Sequence, residues 1–327
     1  MSPARLLALC GIAAAALYSQ SLLVLSKGDH TLAVVDPSTR QVVFRVPSGP
    51  DPHEVIASTD GRRAYISNYG FGAYHTITPV DLIQRRALTP IDLGPLTGPH
   101  GLDFTGGKLW FTAEGAKVIG SVDPATEKID WVLGTGQNRT HMLYVFPDLK
   151  RMVTTNVASA TVSIIDKVEM RGPGGQTRTD WNETIVPVGH GSEGFDLSPD
   201  RREMWVANAG DGTISIIDLA GKEVTQTLAA DVRSANRLKF TPDGKLVLVS
   251  MLAGPDVAVF DAASRAPVKR IPVGHGAAGI LMAPDGSRAY IACTPDNYVA
   301  IIDLKSLEVT AHIDAGKGPD GMAWATK

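Results

Sequence analysis

Cysteine is nearly missing from this chain. Two occur among 327 residues, and one of them, Cys10, lies in an apolar N-terminal segment. With only Cys293 in the body of the chain, no disulfide pair is available there and the core must hold the fold. A surplus of charge is missing too. Thirty-one Lys and Arg stand against 34 Asp and Glu, a formal net charge of −3, so nothing marks a nucleic-acid or anionic-membrane partner. The apolar runs are too short to span a bilayer comfortably. No G-x-S-x-G, no H-E-x-x-H and no Walker loop occurs, which removes the sequence signatures of the serine-hydrolase elbow, the zincin helix and the P-loop.

What is present is turn chemistry and repetition. Gly (33) and Pro (21) are plentiful. Met1 to Ala16 reads as a secretory leader, with Arg5 as the positive n-region, Leu6 to Ile12 as the apolar core and Ala14-Ala15-Ala16 as the cleavage site. The other reading is an uncleaved anchor ending at about residue 20. Cys10 makes a poor lipoprotein cysteine, because Leu9 precedes it. The expected product is a periplasmic or secreted protein.

The stretches "DPHEVIAS", "GPHGLDFT", "RTHMLYVF", "GSEGFDLS", "SANRLKFT", "GAAGILMA" and "GPDGMAWA" align on His53, His100, His141, Glu193, Asn236, Ala278 and Asp320. They are spaced by 47, 41, 52, 43, 42 and 42 residues, in the range of a four-stranded propeller blade. "EGFDLSPD", "EMWVANAG", "TISIIDLA" and "VTQTLAA" give the strand order within one repeat. An Asp recurs after each third strand (Asp36, Asp81, Asp123, Asp166, Asp218, Asp261, Asp303) and suits a local side-chain-to-backbone turn. The body of the chain opens with three strands and ends with a single first strand, "PDGMAWATK". The expected fold is therefore all-β: a seven-bladed β-propeller over residues 21–327, its closing blade made of one C-terminal and three N-terminal strands, which removes two open sheet edges. In one repeat, residues 167–184 lengthen the hairpin between the third and fourth strands, on the face opposite the first-strand entrances.

The repeats resemble the YVTN β-propeller repeat family, most closely in "MWVANAGDGTISIIDLAGKEVTQTL" and in "GAAGILMAPDGSRAYIACTPDNYVAIIDLKSLEVTAHIDAGKGPDG". That resemblance implies the fold and an exported protein, and it implies little about function. "GPHGLDFTGGKLWFTAEGAKVIGSVDPATEKI" is more similar to a repeat of virginiamycin B lyase (streptogramin lyase). That family opens a cyclic lactone by elimination with a divalent metal and a His base. The likeness is confined to one blade, so no catalytic role transfers to a particular residue.

In a propeller the first strands line the central channel, so the aligned positions form a ring at its mouth. His53, His100, His141 and Glu193 lie on four consecutive blades and are suitable ligands for a divalent metal, Zn, Mg or Ca. His100 and His141 are also the candidates for a general base. Asn236 and Asp320 face them across the mouth as ligand-binding candidates. The turn "NYGFGAYH" adds Tyr69, Tyr74 and His75, with Phe71 among them, as a wall or lid. His190 and His275, in two "VGHG" turns, read as turn residues. Trp110, Trp205 and Trp324 read as blade packing, and Cys293 as a small buried residue.

The expected function is binding of a small ligand at the His-rich mouth, with lactone hydrolysis or elimination as the enzymatic form. The alternative is a non-catalytic periplasmic or extracellular scaffold whose rim docks a protein or glycan, with the 167–184 hairpin as a partner contact. A quinoprotein-like propeller ranks last, since no cofactor motif appears. We expect a monomer with no transmembrane domain after leader cleavage.

Overall fold

The computed structural model describes residues 20–326; the expected leader lies outside them. Seven sheets are arranged as blades, each in antiparallel order from an inner to an outer strand. Blade 1 is the closing blade. Its inner strand is Pro319–Thr326, followed outward by Gln20–Ser26, Thr31–Asp36 and Gln41–Pro47. Leu22 pairs with Trp324 and Leu23 with Ala323, so the first and last described strands are joined in one sheet. Blades 2 to 7 begin at the inner strands Pro52–Ala57, Pro99–Thr105, Thr140–Val145, Ser192–Leu197, Ala235–Phe240 and Ala277–Met282.

Burial explains why each strand has its composition. The second and third strands are pressed between neighbouring blades on both faces, so they read as near-continuous apolar runs. Leu22, Leu23, Val24 and Leu25 are all fully buried in sequence. The fourth strands face solvent and alternate, as in Lys128–Gly134 and Glu308–Ile313. The apolar clusters cross blade boundaries; one joins Trp205, Ile214 and Ile216 of blade 5 to Leu238, Val247 and Phe260 of blade 6. At about 25 cal/mol per Å² of apolar surface, this interlocking is the main stabilising term, and the described residues, which hold no disulfide, depend on it.

Two departures have physical causes. In blade 2 the outer strand is broken into Arg86–Ala87 and Ile91–Asp92. Pro79 in the third strand has no N–H to give to the ladder, and Pro90 falls in the gap. In blade 4 the hairpin Thr161–Arg171 with Thr177–Pro187 runs eleven residues on each side, as the polar insert predicts. Trp181 on that hairpin packs against Trp131 of blade 3, which packs on Trp110, with centroids 5.6 Å apart in both pairs.

The inner strands are also stitched around the axis. Thr112, Thr155 and Ser250, on second strands, donate to the carbonyls of His141, Glu193 and Ala278 in the next blade. Gly101 shows how close the blades come: a Cβ there would lie 2.5 Å from the His141 carbonyl oxygen. The ring residues are thus held by backbone contacts between blades, which fixes where their side chains emerge.

Candidate metal and ligand site at the channel mouth

All seven aligned positions line one cavity of about 890 Å³ at the mouth. His53, His100 and His141 form a row, with centroid separations of 4.4 Å and 3.8 Å. A second ring rises above the first. It consists of the residue following each second strand: Lys27, Tyr69, Glu114, Val157, Ala209, Leu252 and Thr294. Sequence reading reached Tyr69 in this ring but missed Lys27, Glu114 and Leu252. The signal was available, because these seven positions align as regularly as the first ring does.

Glu114 alters the geometry of the site. His100, Glu114 and His141, all buried, bring one ligand atom each to within 4.8 Å of one another. His141 is held between two carboxylates. Its Nδ1 bonds Glu114 Oε1, and its Nε2 lies 2.7 Å from Glu193 Oε2, off the direction a hydrogen bond needs. Burial alone would depress His141, but Glu193 and Glu114 outweigh it and raise the imidazole to about 9. Burial likewise works against the charge on Glu193, yet His141 brings that carboxyl down to about 2. Glu114 is also lowered, its hydrogen bond to His141 overcoming burial. Its Oε2 accepts from the Tyr69 hydroxyl at 2.5 Å and from Arg139 Nε at 3.3 Å. Tyr69 is pushed up by burial and by that carboxylate.

The adjacent histidines shift the other way. Burial, with His141 beside it, pushes His100 well below its ordinary value, and its buried Nδ1 has no partner. His53 is lowered to about 3 by burial and by the Lys27 ammonium. Lys27 Nζ is 2.6 Å from His53 Nδ1. An ammonium only donates, so Nδ1 accepts and the His53 proton sits on Nε2. The same ammonium lies 3.3 Å from Asp51 and 3.4 Å from Asp320. Burial raises the Asp320 carboxyl, with Lys27 opposing.

The predicted metal set is therefore divided. His100 and His141 converge with Glu114. Glu193 stands beside His141, while His53 is engaged with Lys27. Two imidazoles and a carboxylate suit a Zn-type ion better than Mg or Ca, which prefer all-oxygen shells. The unpartnered His100 Nδ1 is the kind of orphan a ligand atom should be.

Of the ligand-binding candidates, Asn236, Asp320 and Tyr69 line the cavity. Tyr74 and His75 are exposed and are not among its lining residues. His75 bonds Asp92 at 2.9 Å, where the chain turns toward the outer strand. The loop that carries them is seated on the next repeat: Gly98 N–H donates to the Tyr74 carbonyl, and a Cβ on Gly98, at φ 71°, would lie 2.9 Å from Gly72 Cα. His190 and His275 cap turns against Asp211 and Asp296. Trp110, Trp205 and Trp324 pack within and between blades, each indole N–H bonded locally or to the adjacent blade. Cys293 is buried, its thiol pushed up to about 12 by desolvation.

Beneath the ring, Glu54 and Arg237 form an ion pair. They follow His53 and Asn236, on blades 2 and 6, so the pair crosses the channel axis as a charged floor one residue further along the first strands.

No family model and no curated protein sequence matches the chain. Solved structures do resemble it. A candidate 6-phosphogluconolactonase from Bacteroides uniformis ATCC 8492 superposes with a TM-score of 0.73 at 13% identity, covering 93% of this chain and 99% of that one. Its counterpart from Bacteroides fragilis NCTC 9343 gives 0.73 at 15% identity, over 93% and 97%. A functionally unknown protein from Desulfotomaculum acetoxidans DSM 771 gives 0.71 at 13% identity, over 91% and 98%. The chain shares their fold. Among the described residues no helix is long and apolar enough to cross a membrane.

Proposed function

We propose that this chain is an exported propeller of the YVTN type that binds a small ligand through a divalent metal at His100, Glu114 and His141. Its enzymatic form is hydrolysis or elimination at a lactone or ester. The observation that carries this reading is the convergence of donors from three buried residues, one of which, His100, also has an unpartnered Nδ1, beside an open 890 Å³ cavity. A divalent ion held there would act as a Lewis acid on a carbonyl. Around it, Glu193 and Glu114 supply negative charge, Tyr69 and Arg139 fix the Glu114 carboxylate, and His53, neutral and held by Lys27, offers an N–H toward the cavity side of the ring. The virginiamycin-lyase-like repeat and the lactonase name given to two proteins of this fold both support a lactone as the substrate class, the first through elimination and the second through hydrolysis.

The test is metal content by mass spectrometry on untagged, chelator-free protein and on a His100→Ala/Glu114→Gln/His141→Ala variant checked for fold. One ion per chain, lost in the variant, supports the reading, and a lactone and ester screen then follows. No ion in either protein overturns it.

The scaffold alternative draws on the long blade 4 hairpin, where Met170 and Ile185 are exposed. Partner capture that survives the triple variant and is lost on trimming 167–184 would favour it.

A further inference from the structure

The cavity has two chemically different halves. Blades 1 to 5 contribute Lys27, Arg139, three histidines, Glu193 and Asp320. Blades 6 and 7 contribute Leu252, Ala278 and Pro295. Ala278 is the one apolar member of the inner ring, and Leu252, directly above Asn236 in the outer ring, is 51% exposed. Across the mouth, on blade 2, Phe71 is 92% exposed at a φ of 52°, a left-handed conformation unfavourable for a bulky side chain. Both large apolar side chains line the cavity. Single exposed apolar residues are ordinary on a surface; two lining one cavity from different blades are the kind of apolar surface a ligand covers. Asn236 stands where the halves meet, and its buried Oδ1 has no partner, so it lacks a hydrogen-bond donor.

We infer that the ligand of this site is amphipathic: an oxygen-rich head bound at the histidine half, an N–H or O–H donor meeting Asn236, and an apolar body lying on Leu252, Ala278 and Pro295 beneath Phe71. This rests on the metal reading above and narrows it to carbonyl compounds with an alkyl or aryl body, as opposed to polar sugar lactones. Charge complementarity places the head. The carboxylates of Glu114 and Glu193 beside the histidine row attract a cation and what it binds, and blades 6 and 7 contribute no charged side chain to the cavity lining.

The experiment is calorimetric titration of the Zn²⁺-loaded chain with acetohydroxamate and octanohydroxamate, which share a metal-binding head and differ only in tail. Octanohydroxamate should bind tighter by about two- to fourfold for each added methylene that finds the apolar half. Phe71→Ser/Leu252→Ser should bring octanohydroxamate down toward acetohydroxamate. Val268→Ser, a half-exposed apolar site on the outer strand of blade 6, should leave the tail dependence intact. Equal affinities for the two hydroxamates overturn this inference alone. A tail dependence that persists in the double variant overturns it as well. If Zn²⁺ or both hydroxamates fail to bind, the metal reading fails and this inference falls with it.

Discussion

On the face away from the mouth, an aspartate closes the third strand of every blade, and six of the seven do one job. Asp36, Asp81, Asp123, Asp218, Asp261 and Asp303 each accept a backbone N–H from two or three residues ahead. On the mouth face, the first-strand positions recur with the same period, yet hold five residue types. Both sets are equally periodic, so periodicity alone does not separate structure from function. The difference lies in what varies. Where the backbone needs the same turn, six times over, the residue repeats. Where the backbone is indifferent and the side chain faces a shared cavity, the residues diverge and act together.

The floor pair should give the largest response to mutation. Glu54 and Arg237 occupy the position after the ring residue, which is glycine in four other blades: Gly101, Gly194, Gly279 and Gly321. Arg237→Ala leaves Glu54 partly buried without its partner and should cost about 3–5 kcal/mol. A Glu54→Met/Arg237→Met double variant should recover most of that, because no buried charge then remains. Urea denaturation of both variants measures this. A single variant as stable as wild type would mean that the pair is a solvated contact and the channel has no charged floor.

Next in size is the pH dependence of the metal-free chain in chelator, and the neighbouring imidazoles give it two limbs. His141 is raised to about 9, so its stabilisation is complete below its ordinary 6.5 and is lost as pH rises through 9. His53 is lowered to about 3, and His100 is lowered as well. Below 6.5 the unfolded chain takes up protons that these buried rings refuse, so stability falls on acidification. Glu193, down to about 2, adds to that acid limb once pH drops below the ordinary carboxyl range. The melting temperature should peak near pH 6.5 and fall by roughly 5 °C or more by pH 9. His141→Gln should flatten the alkaline limb and keep the part of the acid limb that His53 contributes, while losing the part that Glu193 adds. A monotonic profile would contradict opposite charge states for adjacent rings.

The fold was legible because a propeller imposes its period on apolar spacing and turn residues, and both are written locally. The closing blade was legible from strand bookkeeping at the two ends. The inner ring was legible for the same reason. The outer ring was largely overlooked, because its members follow strands whose sequence signal is burial. Glu114 in "TAEG" looks like an ordinary turn acid until His141, 27 residues on, is folded against it. Tyr74 and His75 look like site residues because they share a turn with Tyr69. The loop bends back on Gly98 after Tyr69, and that bend depends on a contact with the next blade that local sequence does not contain.

The smallest predicted effect sharpens the opening comparison at its one exception. Asp166 is the aspartate that makes no turn. The long hairpin continues past it, so its carboxylate is free to receive Arg151 Nε at 2.6 Å and Lys222 Nζ at 2.6 Å. Those two cations, with Arg151 also donating to the Leu219 carbonyl, tie blade 4 to blade 5 and hold the carboxyl below its ordinary range despite some burial. Asp166→Ala should therefore cost about 1.5–3 kcal/mol, the range for hydrogen bonds to charged groups. Asp36→Ala, which loses bonds from Ser38 and Thr39 within its own turn, should cost less. Added salt should narrow the gap, since only the Asp166 interaction is between full charges. Equal costs at both positions, or a gap that salt leaves untouched, would mean that the seventh aspartate is no exception, and that the repeat sets stability at that turn regardless of the partner.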